Sequence, residues 1–231
     1  MSLQPLPPGQ RESEAFPRFG LTPFAARFPA ETTRVELDVS GDVAANIRIV
    51  NLIERLPRAS MVSDFHCVTT WTHRAVEWSG VRFADLHREI IEPLAMPGKA
   101  SDFILLKAQD GYRTSLPLED LLHEDVLLAD RMNGQPLTVE HGAPLRLIAP
   151  AHYGYKSVKH LKSIGYWTDA RMYRPPLLKF MDHPRGRVAL EERGRWFPGW
   201  LLRHVYRPLI GPTAARFQRE LERHQRKEAS A

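Results

Sequence analysis

Two dipeptides, Asp110-Gly111 and Asn133-Gly134, fix more of this chain's fold than any other feature. The first lies between Phe103–Ala108, an apolar run of strand length, and Tyr112–Leu116, which alternates. The second is flanked by Val126–Met132 and Leu137–Val139. Such pairs adopt the positive-φ turns that match the twist of tight hairpins, so each predicts two antiparallel strands. Arg34–Val39 alternates like a half-buried strand and stops at Ser40-Gly41. Met61–Thr70 reads as a strand running into a loop that carries Cys67, and Leu145–Ala149 and Ser163–Ala170 supply further strands. Helical expectations are short: Asn46–Leu56, ended by Pro57; a segment opened by Ser79-Gly80 and stopped by Pro93; and Pro117–Leu122. Short helices between short strands predict an α+β fold with mixed β-sheets.

The 231 residues suffice for one buried core. A single cysteine forms no intrachain disulfide, and Met1–Gly20 shows no apolar leader, so the expected location is cytoplasmic. No apolar run approaches the ~20 residues that span a bilayer. The formal charge of +5 is uneven: between Arg185 and Lys227 eleven Lys and Arg face four Glu. The rest of the chain is slightly acidic, which argues against nucleic acid coating the main body. The expected division is a domain over 1–184, with an N-terminal arm, and an extension over 185–231. The arm, Met1–Ala30, is proline-rich, and its phenylalanines predict that it lies on the domain.

Cys67 has three readings: a buried core thiol, a nucleophile, or a soft metal ligand. Adjacent side chains on a strand point to opposite faces, so His66 does not naturally serve the thiol as base. A second cluster runs from His141 to Lys159. Arg146 sits in an apolar run, where an arginine calls for a phosphate or carboxylate partner. Gly154 permits a close backbone approach. Lys156, Lys159 and Lys162 can gather round one anion or form a solvated basic face.

Taken together, Phe65-His66-Cys67-Val68-Thr69, His141-Gly142-Ala143-Pro144-Leu145-Arg146-Leu147 and Tyr153-Gly154-Tyr155-Lys156-Ser157-Val158-Lys159 resemble the sulfite-oxidase-type molybdopterin oxidoreductases. Leu6-Pro7-Pro8-Gly9-Gln10-Arg11 resembles the opening of stand-alone bacterial members, and the likeness runs from about Leu6 to Pro184. The resemblance implies that family's molybdopterin-binding fold and a molybdenum held by molybdopterin and one protein thiolate. By position, Cys67 would be the catalytic metal ligand. Arg146 and Lys156 would hold the pterin phosphate, with backbone contacts from Gly154 and Tyr155. His141 would touch the cofactor, and Lys159 would add a further contact. The implied activity is oxygen-atom transfer on a small oxo substrate, with an external electron carrier. Sulfite oxidases place an arginine soon after the cysteine, but Thr69, Thr70 and Thr72 stand there, so sulfite does not fit. Two other classes stay open on the residues alone: a cysteine hydrolase, and a non-enzymatic basic binding module.

Leu201, Val205 and Leu209 recur at helical spacing in the extension, and Leu202 and Tyr206 widen the stripe. The segment either packs on the domain or docks through 185–227 to a partner or weakly to an anionic membrane; nucleic acid is not expected.

Overall fold

The computed structural model describes residues 5–176 and 178–230. One sheet runs β1 (Arg11–Glu12), β5 (Trp71–Arg82), β8 (Leu127–Met132), β10 (Arg146–Ile148). On it β4 (Arg58–His66) pairs with β5, and β9 (Gln135–Pro136) with β8. A second sheet runs β3 (Ile47–Val50), β2 (Glu36–Gly41), β11 (Leu161–Trp167), β6 (Phe103–Ala108), β7 (Arg113–Pro117). β1 is parallel to β5 and β11 to β2, and the other pairs are antiparallel. The α+β fold with mixed sheets and short helices is thus present.

The larger core takes Leu37, Val39 and Ile49 from the second sheet and Val81, Leu128 and Leu147 from the first, so it lies between them. Period-2 alternation sends the neighbouring residues to the first sheet's other face. There Trp78, Leu127, Ala129 and Ile148 form a smaller core, against which Phe16 and Phe65 pack. Arg146 belongs to that second face.

Both hairpins form at the expected turns, with positive φ at Gly111, Asn133 and Gly134. Three local readings give way to tertiary contacts. Ser79-Gly80 opens no helix; it lies inside β5, because a Cβ on Gly80 would sit 2.0 Å from the Leu128 carbonyl oxygen of β8. Asn46–Leu56 splits into β3 and a single turn, α1 (Leu52–Arg55), at the left-handed Asn51. Pro93 does not stop its helix. It sits early in α3 (Glu92–Ala95), after α2 (Phe83–Leu86) and a wide π turn over His87–Ile91. Leu137–Val139 is not a strand, since β9 ends at Pro136. The remaining short helix, α4 (Leu118–Leu121), follows Pro117.

The extension forms α5 (Gly199–Tyr206), a 3-10 turn over Arg207–Leu209, and α6 (Ile210–Glu228). Pro208 falls in the tight turn and Pro212 in the first turn of α6, where no N–H is needed. Leu202, Tyr206, Phe217 and Leu221 are buried, while Leu201, Val205 and Leu209 face solvent. The arm meets α6 where Phe28 stacks on His224 and Phe19 on Phe217.

Candidate functional site

Cys67 sits where β4 turns back into β5. Its N–H donates to the Trp71 carbonyl at 2.8 Å, and the Thr70 N–H donates to the Cys67 carbonyl at 3.1 Å. Thr70 takes a φ of +91°, costly for a β-branched residue and held here from outside. Four groups brace the loop. Gln10 Nε2 donates to the Cys67 carbonyl at 3.1 Å. Arg193 donates to the Val68 carbonyl at 2.6 Å. Arg207 Nε donates to Thr70 Oγ1 at 3.3 Å. The Thr69 hydroxyl lies 3.1 Å from the Cys67 sulfur. Burial pushes the thiol pKa up, against the pull of Thr69 and the charges of Arg193 and Lys159. His66 does not activate it. The Thr72 hydroxyl donates to Gln10 Oε1 at 3.0 Å, so His66 Nδ1 donates to Thr72 Oγ1 at 2.9 Å.

Cys67 opens on a cavity of about 350 Å³ whose walls include Gly154, Tyr155, Lys159 and Arg18. Arg146 stacks behind Phe65, its guanidinium carbon 5.3 Å from that ring and 4.9 Å from Trp78. It is wholly buried, donates only to the carbonyls of His141 at 2.8 Å and Ser157 at 3.4 Å, and its Nε has no partner among the described residues. Burial alone pulls it down to about 9. Lys159 Nζ donates to the Glu140 carbonyl at 2.7 Å. Burial, then Arg146 and Arg18, push it far below the usual lysine range. His141 falls to about 3, from burial and then Lys159 and Arg146, and its buried Nδ1 is also unpartnered. Asp110 lies on the same cavity wall, and burial raises it.

The structure therefore puts Gly154, Tyr155 and Lys159 with Cys67 on the cavity wall, and His141 and Arg146 behind that wall, against Phe16 and Phe65. Lys156 points elsewhere. It is wholly buried, and its Nζ donates to the Ser115 carbonyl at 2.8 Å and pairs with Asp182 at 3.5 Å. Gly154 is tight: a Cβ there would stand 2.3 Å from Phe65 Cζ, while its N–H donates to the His66 carbonyl at 2.8 Å. The Tyr155 carbonyl accepts from the Tyr112 hydroxyl at 2.7 Å. Sequence reasoning missed Arg18 and Arg193. Arg18 lies between Phe28 and Phe217 at 4.2 and 5.1 Å, which places a cation of the arm on the cavity wall. Arg193 lies 125 residues from the loop it braces. The basic side chains that follow the thiol are engaged: His73 with the Ser13 carbonyl, Arg74 with Glu12 and Asp64.

Residues 25–172 match the oxidoreductase molybdopterin binding domain family. The chain is 36% identical over 164 residues to the uncharacterized oxidoreductase YuiH of Bacillus subtilis, covering 70% of this chain and 78% of that one. It is 27% identical to the protein-methionine-sulfoxide reductase catalytic subunit MsrP of Xanthomonas campestris, over 67% of this chain and 55% of the relative. The sulfane dehydrogenase SoxCD of Paracoccus pantotrophus superposes with a TM-score of 0.52 at 23% identity, over 60% of this chain and 39% of that one.

Proposed function

Because the chain belongs to the oxidoreductase molybdopterin binding domain family and is a molybdenum-cofactor oxidoreductase, we propose that it transfers an oxygen atom to or from a small sulfur- or nitrogen-oxo substrate, exchanging two electrons with an external carrier. One observation carries the reading: a buried thiol and a cluster of under-compensated cations share the surroundings of one cavity. That cluster fits the cofactor's phosphate. Among the described residues Arg146 Nε and His141 Nδ1 are buried without partners, and burial, then Arg146 and Arg18, disfavours Lys159 as a cation. A phosphate would reverse each of these costs.

In this reading Arg146 and Lys159, with Arg18 beside them, hold the phosphate. Gly154 and Tyr155 present backbone to the ring system, and His141 offers its free nitrogen. Lys156 acts at one remove, through Asp182 on the cavity wall. Cys67 supplies the protein thiolate to the metal, which requires it to lose its proton on loading. The cofactor supplies a metal that changes oxidation state by two electrons as oxygen passes to or from the substrate. Gln10, Arg193 and Arg207 brace the loop that would present the sulfur to the metal.

The name of the MsrP relative points to sulfoxides as the substrate class to try first. A net excess of cations over 185–227, with Trp196, Trp200 and Val205 exposed, fits an acidic face on the carrier. Among the described residues no helix is long and apolar enough to cross a membrane. With one cysteine and no disulfide to form, the reading assigns the cytoplasm. The test is a redox-dye screen of the loaded enzyme in both directions against sulfite, sulfoxides, N-oxides and nitrate. Turnover of a sulfoxide or N-oxide supports the reading. Turnover of none, by enzyme shown to carry molybdenum, overturns it.

A further inference from the structure

Residues beyond 172 lie outside the family match, yet they reach the thiol loop. Arg193 grips it at Val68 and Arg207 at Thr70. Between these two tethers runs α5, whose last residue, Tyr206, lines the cavity that holds Cys67. Tyr206 is only 2% exposed, and its hydroxyl has no hydrogen-bond partner among the described residues. Trp71, four residues after the thiol, lines the same cavity, and its buried Nε1–H is likewise unpartnered. Phe19 bridges the two sides, edge-on to Trp71 at 5.8 Å and stacked with Phe217 at 6.4 Å.

Buried donors are nearly always satisfied, and two left unmade in one chamber mark a place where a ligand atom completes them. Both are uncharged, so they suit a polarised neutral oxygen better than an anion, which needs charge-assisted partners. Phe19, Leu209 and Phe217 around them are apolar and suit carbon substituents. We propose that Tyr206 and Trp71 form the subsite for the substrate's oxygen, so that the C-terminal extension completes the active site and selects neutral oxo compounds with apolar substituents. This rests on the oxygen-transfer reading above.

The test uses loaded enzyme, with molybdenum and pterin content measured first. Dimethyl sulfone, which offers the same S–O acceptor but is not reduced, is titrated calorimetrically into wild type, Tyr206→Phe and Trp71→Phe. Loss of one neutral hydrogen bond weakens binding roughly threefold to tenfold in each variant. The KM of any turned-over sulfoxide rises in step, with the loss carried mainly by KM. No sulfone binding by loaded wild type, or unchanged affinity in both variants, overturns the subsite. So does loss of cofactor in Tyr206→Phe, which would place that hydroxyl against the cofactor. Sulfone binding that depends on both donors, in an enzyme that turns over no oxo compound, would sink the oxygen-transfer reading and leave the subsite standing.

Discussion

Two buried arginines, Arg146 and Arg193, should respond very differently to the same substitution. Arg146 is drawn down to about 9 by burial, with no carboxylate to offset it. That is more than three tenfold steps, so holding its charge costs the cofactor-free fold on the order of 4 kcal/mol. Arg146→Met removes that cost but leaves the His141 and Ser157 carbonyls without their donor, at roughly 1–3 kcal/mol each. The terms nearly cancel, and the cofactor-free variant should lie within about 2 kcal/mol of wild type. Arg193 differs, because it pairs with Glu191 at 3.1 Å and donates to the Val68 and Pro8 carbonyls at 2.6 and 2.9 Å. Breaking one partner of a buried pair costs about 3–5 kcal/mol. At about 2–4 °C per kcal/mol for a chain of this size, Arg193→Met should melt roughly 6–20 °C lower, and Arg146→Met within about 8 °C of wild type. The assay is thermal unfolding of protein made in a host that cannot make the cofactor. It is paired with molybdenum content from a host that can, where Arg146→Met should lose most of its metal. If Arg146→Met melts as low as Arg193→Met and keeps wild-type molybdenum, Arg146 is a structural donor and the phosphate lies elsewhere.

Three further outcomes follow from the same geometry. Cys67→Ser should abolish turnover and alter the metal's spectroscopic signature while far-UV circular dichroism stays native; full activity would remove Cys67 from the metal. Gly154→Ala drives a Cβ to 2.3 Å from Phe65, so overpacking should cost about 1–3 kcal/mol in urea unfolding and disturb the ring that backs Arg146. Raising ionic strength to about 0.5 M should slow exchange with an acidic carrier, seen by stopped flow, while dye-linked turnover holds, because screening acts on the exposed extension and not on the buried site.

The sequence revealed features whose physics is local. Asp110-Gly111 and Asn133-Gly134 encode their turns in the dipeptides themselves. Cys67, Arg146 and Lys159 were legible because their stretches carry a family pattern. Gly80 misled, since its reason is a carbonyl on another strand, invisible to any window along the chain. The stripe of Leu201, Val205 and Leu209, widened by Leu202 and Tyr206, read as one face that either packs or docks, and its Leu201, Val205 and Leu209 side is exposed. The packing is done by Leu202 and Tyr206, which share its periodicity one residue on. Arg193 could not be told from the other arginines of the extension, because charge counts do not distinguish a side chain in water from one buried between two loops.

Whether this chain carries a molybdenum cofactor is tested most directly by metal and pterin analysis of protein purified from a cofactor-competent host. The account predicts about one molybdenum per chain and pterin fluorescence released on denaturation, since one cofactor orients one reacting metal. Metal-free protein with no pterin fluorescence from such a host would contradict it.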